Sequence, residues 1–337
     1  MVKKVKLDFA GLKVEFCDRE RALLQVEEFA ERGTWHPVVV FGPEGCGKTA
    51  WLKQAAELLR EVGYEVVYVD PMRRDFIAHT DVEELARKFA EAVADVTGVA
   101  GVKLATLAID AVKWLVSKWR KTNVAILVDD AFQAIGLEKA AVYVKSLLSL
   151  TEYPPEGCER VVAIATTSEG TSRAEIGRHR WAFLRPLWNM GKKGFEEIYE
   201  KLPRPRRDLE EVWRLAGGSP EMLARLYQAR WDEGAVLRDV VDSKKLDVFA
   251  SSLSDEEREY LLEAVEDPDT LLTRERIPLL NKLVELNLVV DAVPERRPEH
   301  WIDDPPPQRD LELGVGRRVA WQSPLHREAV KRALKRL

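Results

Sequence analysis

The sequence predicts an α/β fold, a parallel sheet layered with helices, followed by a small helical domain and a C-terminal domain of helices and a two-stranded hairpin. Three observations predict it. Short apolar runs alternate with stretches of helical period as far as about residue 190, the pattern of parallel strands joined by helical crossovers. From 191 to 248, helical periods follow one another with no strand-like run between them. From 249 onward the order is helix, helix, strand, long Pro- and acid-rich loop, strand, helix.

Each element has its own warrant. Residues 19–32, RERALLQVEEFAER, place apolar side chains at helical spacing. Pro37 then precedes Val38-Val39-Val40-Phe41, an unbroken apolar run of buried-strand type. In 49–62, Trp51, Leu52, Ala55, Leu58 and Leu59 fall on one helix face, and Gly63 ends the helix. YEVVYVD (64–70) reads as a second strand, VAILVDD (124–130) as a third and VVAIATT (161–167) as a fourth. Between them, 81–96 and 99–120 read as helices. The second of these is strongly apolar, but Lys103, Asp110 and Lys113 interrupt it, so it reads as amphipathic rather than membrane-spanning. GKKGFEEIYEKL, LEEVWRLAGG and SPEMLARLYQARW are helical, and PRPRR at 203–207 is a stiff basic linker. Ser254, followed by Asp255, Glu256 and Glu257, caps a helix over 253–265. A helix at 277–286, strands at 288–293 and 317–321 and a last helix at 324–337 complete a winged-helix order.

Composition narrows the function classes. The net charge of −5 over 337 residues gives no general attraction for polyanions, so nucleic acid would need a local basic patch. The start, MVKKVKLDFAG, lacks the apolar core of a signal peptide, and the expectation is a cytoplasmic protein with no membrane association. Cys17, Cys46 and Cys158 form neither a disulfide framework nor a zinc spacing. Asn and Gln are scarce against Lys, Arg and Glu, a thermophilic bias. A cytosolic disulfide is compatible with that bias, which leaves a Cys17–Cys158 pair open.

The chemistry sits in FGPEGCGKTAWL. Gly42-Pro43-Glu44-Gly45-Cys46-Gly47-Lys48-Thr49 matches G-x4-G-K-[ST] between a strand and a helix, the context a P-loop requires. Glycines let backbone amides wrap a phosphate without Cβ obstruction, and the helix start adds partial positive charge. Lys48 is expected to neutralise the β/γ-phosphates of ATP and Thr49 to hold Mg²⁺. Cys46 reads as a small filler. The run Ala125–Val128 leads into Asp129 and Asp130. Asp129 is the candidate Mg²⁺-side carboxylate, and Asp130 would orient or activate the attacking water. The alternative is that both only cap a following helix. Thr166-Thr167-Ser168 ends the next strand. Thr167 is the candidate γ-phosphate sensor, against a plain polar strand end. Downstream lie Arg173, Arg178 and Arg180. Arg178 or Arg180 could stabilise phosphoryl transfer, within the chain or in a neighbouring copy; a solvated basic loop is the alternative for each.

With these motifs in hand, the chain resembles archaeal P-loop ATPases of the STAND branch, close to AAA+ proteins and origin-recognition initiators. Phe16-Cys17-Asp18-Arg19-Glu20 is similar to a family motif beside the adenine, which implies nucleotide contacts by Asp18 and Arg19. Gly217-Gly218-Ser219-Pro220 is similar to the GG-x-P element of the helical lid, which implies that Gly218 and Pro220 pack on the nucleotide. Local capping accounts for the same residues, with Gly217 ending one helix and Pro220 starting the next. Val319–Leu325 is similar to the last strand and helix start of the family's winged helix. The implied nucleotide site runs from Gly42 through Ala50, with ATP and Mg²⁺ as cofactors. Many relatives carry Glu where Asp130 stands, which implies slow turnover here.

The expected domains are 1–190 as the P-loop ATPase core, 191–248 as the helical lid and 249–337 as the winged helix. The candidate DNA-reading helix carries Arg274, Arg276 and Lys282, but also Glu275 and Glu285. The wing holds Arg296, Arg297, Arg309, Arg317 and Arg318 among Glu299, Asp303, Asp304, Asp310 and Glu312. Phosphate binding needs several unopposed cations. Duplex DNA, a protein partner and ATP-dependent homo-oligomerisation therefore all stand as expectations, with Trp301 as a possible exposed contact.

Overall fold

The computed structural model describes residues 3–73, 75–79, 122–130, 132, 135–154, 156–168, 170–204, 206–291 and 293–336, with positions 103, 106, 107, 109 and 110. The helix expected at 81–96 lies outside the described residues. Of that expected at 99–120, the five described positions are helical. The described chain divides into two compact units, one drawn from Met1–Val5, Glu20–Phe41 and Lys48–Arg185, the other from Lys6–Arg19, Gly42–Gly47 and Pro186–Leu337.

The chain opens with an antiparallel hairpin of β1 (Lys6–Phe9) and β2 (Leu12–Glu15), part of the second unit. Its turn residues, Ala10 and Gly11, both have positive φ, as a tight two-residue hairpin requires.

The first unit is a six-stranded sheet with helices. In chain order its elements are α1 (Glu20–Arg32), β3 (Val38–Phe41), α2 (Lys48–Glu61), β4 (Tyr64–Asp70), β5 (Asp75–His79), β6 (Thr122–Val128), α3 (Leu137–Glu152), β7 (Cys158–Thr167), α4 (Gly170–Gly177) and β8 (Phe183–Pro186). The sheet order is β5-β4-β6-β7-β3-β8. Pairs β4–β6, β6–β7 and β7–β3 are parallel, as the alternating pattern predicts, and β5 adds an antiparallel edge. Val38–Phe41 and Val124–Val128 are buried throughout, because helices cover both faces of a parallel sheet. Trp51, Leu52, Ala55, Leu58 and Leu59 of α2 are buried as their spacing predicts, and α2 packs on α1 and β4. Ala140, Val144 and Leu147 of α3 join Ile126 and Val128 in the core of this unit.

The second unit gathers α5 (Lys192–Glu200), α6 (Leu209–Ala216), α7 (Pro220–Gln228), α8 (Glu233–Ser243), α9 (Leu246–Ser251), α10 (Asp255–Glu266), α11 (Ile277–Glu285), β9 (Val289–Val290), β10 (Ala320–Trp321) and α12 (Pro324–Leu334). Ser254 and Glu257 form the expected capping box at α10. β9 and β10 pair antiparallel. Packing is continuous across residues 248 and 249. One core holds Phe195, Leu223 and Val240 together with Leu261, Leu283, Trp321 and Leu325, and α12 packs on α8, α9 and α10. Trp301, expected as an exposed contact, is fully buried and donates its indole N–H to the Glu295 carbonyl at 2.9 Å. A large ring with one donor is better satisfied inside, against Trp188, than in water.

Among the described residues no helix is long and apolar enough to cross a membrane. Cys17 is a buried free thiol and Cys158 a half-buried one.

Candidate nucleotide site

In the first unit, the candidate residues converge where parallel strands end. β7 lies between β3 and β6, so one strand separates the carboxylate strand from the strand that leads into the P-loop. Parallel register sets Val40 beside Thr166 and Phe41 beside Thr167. Thr167 therefore neighbours the last residue before Gly42. Lys48 opens α2 and is buried, and Thr49 follows at the helix start.

Asp129 stands one residue beyond β6 and is 1% exposed. A carboxylate so deep needs donors. The Thr166 hydroxyl donates to its Oδ1, and the Tyr68 hydroxyl to its Oδ2 at 3.1 Å. Its backbone N–H donates to the Val69 carbonyl at 2.8 Å. Asp130 follows with φ +44°, a left-handed turn that Asp tolerates better than most residues. Its N–H donates to the Thr166 hydroxyl oxygen at 3.2 Å, and the Ser168 hydroxyl donates to its Oδ1 at 3.4 Å. Burial pushes the Asp130 carboxyl up to about 6, and Asp129 and Asp70 add to the rise. Lys48 and the Ser168 hydrogen bond oppose it. Burial also raises Asp70, with Asp129 adding. Three carboxylates thus share this end of the sheet with Lys48 and with Lys53, whose ammonium lies 5.5 Å from the Tyr68 ring centre.

These residues fit a magnesium ion. Thr49 and Asp129 offer hard oxygen donors, and Mg²⁺ is commonly held by one or two carboxylates plus phosphates rather than by a protein cage. Among the described residues no cluster of three His, Cys, Asp or Glu forms such a cage.

The arginines are placed differently. Arg178 is 71% exposed and pairs with Glu175 at 2.9 Å, and Arg180 is exposed. Arg173 instead lies over the Phe41 ring at 5.0 Å, at the end of β3.

In the second unit, the segment Gly42–Gly47 is gripped residue by residue. A Cβ on Gly42 would lie 1.9 Å from the Leu187 carbonyl oxygen, and one on Gly45 2.1 Å from Glu221 Oε2. Pro43 is buried, and its carbonyl accepts from the Cys46 N–H at 3.3 Å. The Glu44 N–H donates to Gln322 Oε1 at 2.9 Å, and its carboxylate pairs with Lys244 at 2.8 Å. The Gly45 carbonyl accepts from the Glu221 N–H at 3.3 Å. Cys46 is fully buried with its thiol toward the Leu187 carbonyl, a filler as expected.

The motif residues around it are equally constrained. Arg19 is buried and donates to the carbonyls of Cys46 and Trp188 and to Asp303. Asp18 packs against Gly194, where a Cβ would fall 2.0 Å from its carboxyl carbon. Gly217 is left-handed at the end of α6, and Ser219 caps α7 with Pro220 in its first turn, so the capping reading of GG-x-P holds in the structure. Gly218 lies against the Met190 carbonyl, 2.2 Å from an added Cβ. Sequence reasoning left out Tyr68, Glu221 and Gln322, and named Arg173 without choosing it over Arg178 or Arg180. Only Tyr68, near the end of a strand whose neighbour ends on the carboxylates, left a readable signal.

A family model described as an ATPase domain predominantly from Archaea matches residues 16–226. Comparison with curated proteins gives no match. Among solved structures, the chain is similar to the Aeropyrum pernix ORC2 protein in ADPNP–ADP complexes, at 12% identity over 94% of this chain and 93% of that one, with a TM-score of 0.44. It is similar to the Aeropyrum pernix ORC1 protein in complex with DNA at 15% identity, over 95% and 93%, TM-score 0.37. It is similar to AMPPCP-bound DnaA from Aquifex aeolicus at 14% identity, over 77% and 75%, TM-score 0.34. Scores this low leave the reading of the site to the chain's own residues.

Proposed function

The chain belongs to the family of ATPase domains found predominantly in Archaea, and we propose that it is a Mg-dependent ATP-binding switch, slow in hydrolysis, whose C-terminal winged helix reports the nucleotide state to a protein partner. The observation that carries the reading is the end of the sheet in the first unit. There α2 opens on Lys48 and Thr49, directly after the glycine segment, while Asp129 and Asp130 follow β6 beside the hydroxyls at the end of β7. In this reading the Gly42–Gly47 segment wraps the phosphates, with the N–H groups of Gly45, Gly47 and Ala50 as donors, and Lys48 neutralises the β- and γ-oxygens. Thr49 and Asp129 hold Mg²⁺, which supplies further charge neutralisation when bound. Asp130 orients water, and Thr167 senses the γ-phosphate. Asp18, Gly218 and Pro220 face the base. The exposure of Arg178 and Arg180 suits an arginine offered to a neighbouring copy, which would make assembly ATP-dependent. The GG-x-P element and the winged-helix order favour the STAND branch and the domain division 1–190, 191–248 and 249–337.

A protein partner is favoured over duplex DNA by the fate of five of the eight basic residues in the candidate helix and wing. Arg276 pairs with Glu263, Lys282 with Glu257, Arg297 with Glu295 and Arg309 with Asp267. Arg296 spends its guanidinium on the carbonyls of Pro294, Arg317 and Gly316. Cations already committed in this way add little to phosphate binding.

The test is Mg-ATP hydrolysis by the purified protein near its working temperature, with and without duplex DNA, at two salt concentrations, beside Lys48→Ala. Loss of binding or turnover in Lys48→Ala supports the site; normal hydrolysis overturns it. Stimulation by DNA that fades with salt would replace the protein partner with DNA.

A further inference from the structure

We propose that Arg19 is a positioning residue that aims the Gly47 amide at the nucleotide phosphates, and that Asp303, in the loop between β9 and β10, holds Arg19 in place. The inference rests on the nucleotide reading above and adds a second layer to it. Arg19 is 3% exposed. One guanidinium nitrogen donates to Asp303 at 2.8 Å, and the other donates to the carbonyls of Cys46 and Trp188, both at 2.7 Å.

The consequence follows from peptide geometry. The Cys46 carbonyl and the Gly47 N–H belong to one planar trans peptide, so they point in opposite directions. A guanidinium that fixes the carbonyl on one side of the loop fixes the N–H on the other. Gly47 has φ +100°, and an added Cβ would meet nothing within 4 Å. Glycine is needed there for its backbone conformation, and that conformation has to be imposed from outside. Arg19 supplies the constraint.

The supports of Arg19 are themselves unusual. Asp18, Arg19 and Asp303 have φ of 63°, 70° and 65°. Left-handed backbone at non-glycine residues persists only where the surroundings over-determine it. A buried guanidinium also needs a buried counter-charge. Asp303 provides it from 284 residues along the chain. A lysine could not replace the fork, because its single ammonium cannot match planar acceptors in three directions. Phosphate affinity is therefore tunable by whatever moves the β9–β10 loop.

The test is calorimetric titration of the full chain with Mg-ATP, Mg-ADP and adenosine at millimolar concentrations, for the wild type, Arg19→Lys and Asp303→Asn. Both variants are expected to lose at least tenfold in affinity for Mg-ATP and Mg-ADP, with adenosine binding unchanged. A loss that scales with phosphate is something a merely structural role would not produce. Should either variant fail to fold, the double variant Arg19→Met/Asp303→Leu, which keeps apolar packing, is expected to show the same phosphate-dependent loss. Equal Mg-ATP affinity in a folded variant and the wild type overturns the proposal, and so does an equal loss for adenosine. A wild type that binds no nucleotide overturns the functional reading instead, so the two failures are distinct.

Discussion

Replacing Asp130 with Asn is expected to make the protein more heat-stable at neutral pH while it loses turnover. Burial pushes the Asp130 carboxyl from 3.8 up to about 6, with Asp129 and then Asp70 adding and Lys48 opposing. Since the folded value is raised, the stability this group contributes is fully present below about pH 4. It is lost as pH rises through about 6, because the folded site must then bear a charge that the unfolded chain carries freely. The interval corresponds to about 3 kcal/mol at most, and partial exposure of the side chain brings it nearer to about 2 kcal/mol. In a unit of this size each kcal/mol moves the melting midpoint by about 2–4 °C. The assay is thermal unfolding of wild type and Asp130→Asn in chelator, without nucleotide, from about pH 4 to pH 8. The curves should meet near pH 4, separate through pH 6 and run level above pH 7, with the variant several degrees higher. Other carboxylates titrate in both proteins, so the difference isolates Asp130. Parallel curves, or a variant that melts lower at pH 7.5, would refute the reasoning. The same variant should bind Mg-ATP and hydrolyse it at least a hundredfold more slowly, the usual scale for a lost general base.

Tyr68→Phe removes a donor from a buried carboxylate and should cost about 1–2 kcal/mol in denaturant unfolding; Thr166→Val, which strips a donor from Asp129 and an acceptor from the Asp130 N–H, should cost more. Gly218→Ala forces a Cβ to within 2.2 Å of the Met190 carbonyl oxygen at φ +79°. A loss of about 2 kcal/mol or more is expected, and an unchanged melting midpoint would contradict the packing of that turn. The Cys17 thiol, pushed up to about 11 chiefly by burial, should stay unmodified by iodoacetamide at pH 8 in the folded protein and react on unfolding, as read by mass spectrometry.

What the sequence made legible is what depends on neighbours in the chain. The P-loop, the capping box at Ser254 and the carboxylates after VAILV are local patterns, and each falls on the expected element. The opening hairpin was missed, because strands as short as KLDF and LKVE give too weak an alternation to stand out. Which helices after residue 190 share a core was not legible, because packing rather than periodicity decides it. α12 closes the core begun by α5 and α7, so segments that look like two domains share one set of buried side chains.

The residues that define the site's geometry were hidden for the same reason. Nothing in FCDRE says that its arginine will meet a carboxylate 284 residues away. Nothing in WQSPL says that its glutamine will accept from the Glu44 amide. Gln322, Glu221 and Arg19 engage residues 44, 45 and 46 in turn. A glycine-rich segment can adopt many backbone shapes at similar cost, so the motif supplies only the capacity to wrap a phosphate. The shape is chosen by distant residues that hold the loop's backbone groups, and one of them, Gln322, belongs to the part of the chain that carries the winged-helix order. In the proposed reading, phosphate binding and the C-terminal segment that carries Gln322 and Asp303 would share one backbone conformation, the physical requirement for a switch.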